Sequence, residues 1–247
     1  MQPRNVTPEV ISAGPNLSRS NETYPELLEA GISGAGSKVN ATQTAIRRYN
    51  RMAPFYDLME SAMEGFGYAK WRKLQWSKVE GVDILEVGVG TGKNFLYYSP
   101  GHEVKAVDFS EGMLERAKAK SDRNRVKVHL RQMDVQKLEF EDDTFDTVVA
   151  SFVFCSVPDP VRGLEEIRRV CRPGGKVILL EHVLSANRVL GRLMNLANPL
   201  VVRMMGANIN RRTVDNVARS GLTVEKVTDL KAGIFKLIEA RKTATPF

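Results

Sequence analysis

The sequence predicts an α/β protein built on an open, mostly parallel, doubly wound sheet. Three observations carry this. From Val82 onward, strand-length apolar runs alternate with stretches of helical periodicity. The first of these runs empties into a glycine-rich turn, EVGVGTG, where a helical pattern begins. The chain then closes on two β-rich runs, LTVEKVTDL and IFKLIEARK, separated by Ala232-Gly233, a hairpin signal. At 247 residues, with 43% apolar and 26% charged residues, the chain suits one main core and lies far from the composition of disordered proteins. Its longest near-continuous apolar run, VVASFVFCSV, is strand-sized and excludes a bilayer-spanning helix.

Residues 1–40 are rich in Pro, Gly, Ser and Asn and are expected to form a mobile arm. Residues 41–80 carry helical spacing, with Ile46, Tyr49 and Met52 ahead of Pro54 and a second segment from Tyr56 to Met63. The core is expected over 81–247. VDILEVG reads as the first strand, with a helix over 92–98, and EVKAVDFS as the second strand. The basic helix EGMLERAKAK follows, then VKVHLRQMD as the third strand and TFDTVVASFVF as the fourth, apolar enough to be covered on both faces. LEEIRRVCRPGG reads as a helix stopped by Pro173 and two glycines, feeding KVILLEHV. Residues 185–212 interrupt the alternation as an insertion with five arginines and no acid.

Gly88, Gly90 and Gly92 lie where the first strand meets the first helix, so a ligand can approach the backbone without meeting a Cβ. Tight turns also use glycine for steric reasons alone. Asp108 ends the second strand, where an acid accepts both ribose hydroxyls of a nucleoside, and Asp134 ends the third, where an acid accepts from an adenine amino group. The dinucleotide fingerprint requires a glycine at position 93, which is Lys93 here, and Glu86 at the first strand end would repel a pyrophosphate. A sulfonium-bearing, phosphate-free nucleoside, S-adenosylmethionine, fits these residues better.

EVGVGTG, VDFS, QMDV and RPGG followed by KVILLEH resemble the successive motifs of class I S-adenosylmethionine-dependent methyltransferases, from about Tyr49 to the C-terminus. The resemblance implies a seven-stranded Rossmann-like sheet whose last strand is antiparallel. It also implies that Glu86 to Gly92 line the methionine part of S-adenosylmethionine, that Asp108 holds the ribose, and that Phe109 lies against the adenine. Met133, Asp134 and Val135 would hold the base, Met113 would complete the contacts, and Ser151 would face the reacting centre. Residues 41–80 would then cap the cofactor site. RRYNRMAPFYD resembles the opening helix of quinone-biosynthesis C-methyltransferases and bacterial phospholipid N-methyltransferases, in which aromatic residues at the positions of Tyr49 and Tyr56 close over the cofactor; plain helix packing is the other reading of those two tyrosines. FVFCSVPDP, LLEHV and ANPLVVRMMGANINRRTV are similar to membrane-associated alkyl-thiol S-methyltransferases. All three groups act on lipophilic acceptors.

The insertion supports that class independently. In RVLGRLMNLANPLVVRMMG apolar residues alternate with arginines, as in an interfacial surface or a lid over an apolar pocket, although Pro199 and two glycines are expected to break any long helix. A helix pair packed on the core is the competing reading. His182, at the end of the fifth strand, is the candidate base for a protonated acceptor, with a purely structural histidine as the alternative. Cys155 reads as a small apolar residue.

No His, Cys and acid cluster has metal-ligand spacing, so no metal is expected. Two cysteines and the absence of a secretory pattern point to a cytoplasmic protein, peripheral on anionic membrane through 185–212. The net charge of +7 also suits nucleic acid, but basic residues interleaved with Leu, Met and Val argue against that partner. A nicotinamide-dependent oxidoreductase is the alternative enzyme class, disfavoured by Glu86 and Lys93. Oligomeric state and the methylated atom are not fixed by these motifs.

Overall fold

A computed structural model describes residues 67–243, together with Gln43, Thr44 and Arg47; the expected arm over 1–40, Tyr49 and Tyr56 lie outside the described residues. A single seven-stranded sheet runs in the order β3-β2-β1-β4-β5-β7-β6. The strands are β1 Asp83–Val87, β2 Glu103–Asp108, β3 His129–Gln132, β4 Phe145–Ser151, β5 Cys171–His182, β6 Thr223–Lys231 and β7 Phe235–Arg241. β1 pairs in parallel with β2 and β4, and β4 with β5. β7 alone is reversed, antiparallel to both β5 and β6. The β6–β7 hairpin turns through Ala232 and Gly233, both at positive φ, as a two-residue turn requires.

Helices α1 Ala69–Trp76, α2 Glu111–Asn124, α3 Pro160–Val170, α4 Arg188–Met205 and α5 Thr213–Arg219 flank the sheet. Alternation along the central strands divides the core into two sides. Leu85, Val148, Val177 and Leu179 pack with Leu164 and Ile167 of α3 and Val217 of α5. On the opposite side Ile84 and Val149 pack with Trp76 of α1, and Ile178, Leu180 and Leu237 pack with Trp71 of the same helix. Burial on both faces explains why these strands read as continuous apolar runs.

Several expectations need correction. The helix before the fifth strand ends at Val170, and Pro173, Gly174 and Gly175, expected to stop it, already belong to β5, which starts at Cys171. The fourth strand ends at Ser151, short of Phe154, because Phe152 adopts a φ of +59°, outside the range of an extended strand. The segment after the glycine turn is a 3-10 helix, Lys93–Tyr97. Asp134 does not end β3, which stops at Gln132; it lies in an isolated bridge with Lys137.

The largest departure is α4, one helix of 18 residues that runs straight through Pro199. Its N-terminus is capped by the Asn187 side chain, which accepts from the backbone of Val189 and Leu190, and it ends at Gly206 with a φ of +77°. Neither glycine breaks it. Gly191 is where the helix meets the preceding loop: a Cβ there would sit 2.9 Å from the Ser185 carbonyl. Gly206 lies past the last turn, and Pro199 is exposed, so the backbone bond that it removes is open to water.

Candidate functional site

The glycine turn is held by the strands on either side. Gly88 and Val89 donate their N–H groups to the Val107 carbonyl, and Gly90 donates to Asp108 Oδ2 at 2.9 Å. Asp108 Oδ1 accepts from Ser110, which caps α2. Gly88 has a φ of +68°, and a Cβ there would lie 2.4 Å from a methyl of Val153, whereas a Cβ on Gly90 would meet open space. Gly92 is used differently. Its φ is +75° and the Phe95 ring packs over it, so its role is steric and it does not line the cleft.

The cleft is lined by Gly88, Gly90, Asp108, Phe109 and Met113 on one side. Ser151, Phe152, Val153 and Ser156 form the other wall. It continues into a second, shallow hollow between Phe109, Asp134, Val135, Gln136 and the Ser156–Pro158 segment. Six of the expected contact residues besides Asp108 and Phe109 therefore meet here: Gly88, Gly90, Met113, Asp134, Val135 and Ser151. Met133 does not; it is buried in the core behind them. Neither hollow is lined by a lysine or arginine. Burial raises the Asp108 carboxyl to about 6, against the backbone N–H groups that favour its charge.

Glu86 is buried at the end of β1 in a polar network rather than on the cleft surface. Its Oε1 accepts from Asn94 at 2.7 Å and its Oε2 from the Tyr98 hydroxyl. Asn94 also donates to Ser151 Oγ, which donates to Gln75 Oε1 at 2.7 Å. Gln75 in turn donates to the carbonyls of Ala150 and Ile178, tying α1 across β4 and β5. Burial lifts Glu86 to about 7, so the network holds a carboxyl that exchanges its proton near neutrality.

The β4 end contributes residues that strand periodicity did not single out. Phe152, a bulky residue in the left-handed region, turns the chain sharply into the cleft wall and donates its N–H to the Leu180 carbonyl. Glu181, wholly buried on β5, fixes the next turn, accepting from the N–H groups of Val153 and Phe154. Burial raises its carboxyl to about 8. Beside it, Cys155 is pushed up to about 12 by burial and then by the Glu181 charge, so the thiol stays protonated.

His182, one residue on, is mostly buried and lies edge-on to Phe235, with ring centroids 5.2 Å apart. Desolvation lowers it to about 4, its ring bonds the Ile209 backbone, and Nδ1 has no hydrogen-bond partner among the described residues. It is therefore a neutral acceptor, as a base must be, but it is not among the cleft-lining residues. Phe235 also meets Tyr68, Trp71 and Phe152, and the Arg72 guanidinium lies 5.5 Å from the centre of the Phe152 ring. An aromatic cluster thus separates His182 from the cofactor-side wall.

Residues 85–179 match the methyltransferase-domain family. A phosphatidylethanolamine N-methyltransferase of Cereibacter sphaeroides is 48% identical over 101 residues, 40% of this chain and 50% of that protein. The chain thus spans half the length of this relative. A demethylmenaquinone methyltransferase of Clavibacter sepedonicus is 36% identical over 193 residues, covering 74% of this chain and 75% of the relative. The chain belongs to the S-adenosylmethionine-dependent methyltransferases. Among solved structures, this methyltransferase superposes on an S-adenosylmethionine-dependent methyltransferase of Thermotoga maritima with a TM-score of 0.63 at 20% identity, covering 81% of this chain and all of the other.

The cleft of the methyltransferase fits the family cofactor. Acids without opposing cations suit a ligand with ribose hydroxyls, an amino group and a positive sulfonium, and they disfavour a pyrophosphate. The open space above Gly90 admits that ligand against the backbone.

Proposed function

We propose that this methyltransferase acts on a lipid-like acceptor, a phospholipid amine or a quinol-type ring, at a membrane surface. The observation that carries the reading is the outward face of α4. Val189, Leu193, Leu196, Leu200 and Met204 are 57–80% exposed. At 3.6 residues per turn they fall within an arc of about 80° on the helix. Met194 and Gly191, on the other side, are buried. Arg188, Arg192 and Arg203 run along one edge of the apolar stripe, all exposed, and no acid occurs between Glu181 and Asp215.

Burying five such side chains even partly is worth about 1 kcal/mol each. Each arginine adds about 1 kcal/mol at an anionic surface. Insertion therefore supplies most of the affinity and charge selects the surface. Two of the relatives, a phosphatidylethanolamine N-methyltransferase and a demethylmenaquinone methyltransferase, support the same acceptor class.

S-adenosylmethionine, when bound, supplies an electrophilic methyl on its sulfonium. The chain's own task is to hold the acceptor in line with that methyl and keep water out. Asp108 would accept the ribose hydroxyls, Phe109 and Val135 would lie beside the base, and Ser151 and Phe152 would wall the reacting end. His182 does not line the cleft and its Nδ1 is buried, so a proton from the acceptor is not routed through it. The test is transfer of labelled methyl to vesicle-borne phosphatidylethanolamine, a demethylated quinol and a simple alkyl thiol.

The Asp108 role carries a pH dependence. Its carboxyl is raised to about 6 in the free protein, and hydroxyl donors favour the ionised form, so ligand affinity is full above that pH and falls below it. S-adenosylhomocysteine is expected to bind about tenfold more weakly at pH 5 than at pH 7. Calorimetric titration across this range checks it; a flat profile would remove Asp108 as the ribose acceptor.

A further inference from the structure

A second cavity, of about 350 Å³, lies between the end of β5 and the start of α5 and shares no lining residue with the cofactor cleft. It is lined by residues 183–186 and 212–215, with Lys236 from β7. Its size is that of a small-molecule site.

Its walls are fixed by backbone bonds: Val183 N–H donates to the Ile234 carbonyl at 2.7 Å and Leu184 N–H to the Arg211 carbonyl at 2.9 Å. Arg211 turns away, its guanidinium donating to the Val157 carbonyl. Arg212, the next residue, lines the cavity instead.

The polar groups here are uncommitted. Three cations of this sheet are held in pairs: Arg172 with Asp83 and Asp146, Lys176 with Glu80 and Glu239, Arg241 with Glu80 and Glu225. Arg212, Lys236 and Asp215 form no such pair with any described residue. Asp229, the register partner of Lys236 on β6, accepts from the Gly233 N–H. Thr213, wholly buried in the same wall, has a hydroxyl with no hydrogen-bond partner among the described residues. An orphaned buried hydroxyl costs on the order of 1–3 kcal/mol. A water, an ion or a ligand group can satisfy such a hydroxyl.

We propose that this cavity is a phosphate-recognition site, with Arg212 and Lys236 as the cations that hold the anion. Two cations against one acid leave it net positive, and an arginine fork matches phosphate oxygens in pairs. The site lies at the root of α4, whose first residue follows Ala186 and Asn187. A lipid headgroup and a free phosphate both carry the required chemistry. The proposal goes beyond the methyl-transfer reading and does not depend on it.

Calorimetric titration of the full chain with inorganic phosphate and with glycerophosphoethanolamine, against chloride at equal ionic strength, tests the site. At least one probe is expected to bind, and Arg212→Gln with Lys236→Gln is expected to weaken it at least tenfold while S-adenosylhomocysteine affinity and thermal stability stay unchanged. Tighter binding of the phosphodiester identifies the headgroup as the source, and tighter binding of inorganic phosphate identifies the free ion. Absence of binding by the unmodified chain, or equal binding by the double variant, overturns the proposal.

Discussion

Replacing Asp108 with alanine is expected to weaken S-adenosylhomocysteine binding by about 100-fold or more. In the proposed role the two ribose hydroxyls would each donate a hydrogen bond to the Asp108 carboxylate, and charge-assisted bonds are worth about 1.5–3 kcal/mol apiece. Losing two at the lower figure gives about 3 kcal/mol, which is roughly two decades in affinity. The substitution also orphans the N–H groups of Gly90 and Ser110, so the glycine turn loosens as the ligand contact disappears. Asp108→Asn is the milder variant. Its amide oxygen can accept from only one of these two N–H groups while its NH₂ faces the other, so affinity falls and the thermal midpoint drops less than in the alanine variant. Calorimetry with S-adenosylhomocysteine measures the first and thermal melting the second. Affinity within threefold of the unmodified chain in both variants would move the ribose elsewhere. In the same melting experiment the cofactor product stabilises the chain and NAD does not, because no cation lines the cleft to meet a pyrophosphate.

The second large effect is expected at α4. Leu193→Glu, Leu196→Glu and Leu200→Glu together place three carboxylates on the stripe that the membrane reading inserts into the interface. Each change removes the apolar contribution and adds repulsion from anionic headgroups. Co-sedimentation with phosphatidylglycerol-containing vesicles is expected to fall more than tenfold, and methylation of a vesicle-borne acceptor with it. All three side chains are exposed, so the fold and the affinity for S-adenosylhomocysteine should be unaffected. Raising salt distinguishes the two contributions. If the arginines select the surface, the unmodified chain binds anionic vesicles less well at high salt while its weaker binding to neutral vesicles is unchanged. Equal pelleting of the triple variant and the unmodified chain would leave α4 as an ordinary surface helix.

How much of this was legible in the residues depended on the kind of signal. The β1 turn and Asp108 were readable because a buried parallel strand leaves an unbroken apolar run, and the glycines and acid that end it stand out against that run. The reversed β7 was readable from Ala232-Gly233. The β4 wall was not: Phe152, whose ring packs near Tyr68, Phe235 and Arg72, has a φ of +59°, and a phenylalanine continues an apolar strand pattern without a break. Helix α4 was misjudged for the opposite reason. Pro199 and Gly191 look like breakers, yet the proline sits on the wet side and the glycine at a close backbone approach. Gly92 carried the right residue for another purpose, since its φ and the Phe95 ring require glycine whatever the cleft binds. Glu86 was expected on the cofactor wall, but its carboxyl is engaged by Asn94 and Tyr98, whose placement depends on how the 3-10 turn folds back over β1.

Methyl transfer itself tests the account most directly. With labelled S-adenosylmethionine and equal amounts of vesicle-borne phosphatidylethanolamine, a demethylated quinol and a soluble alkyl thiol, label is expected in the phospholipid amine or the quinol ring, and the Leu193/Leu196/Leu200 triple variant is expected to lose it. Label in the thiol alone, or in none of the three while S-adenosylhomocysteine still binds, would contradict the lipid-like acceptor.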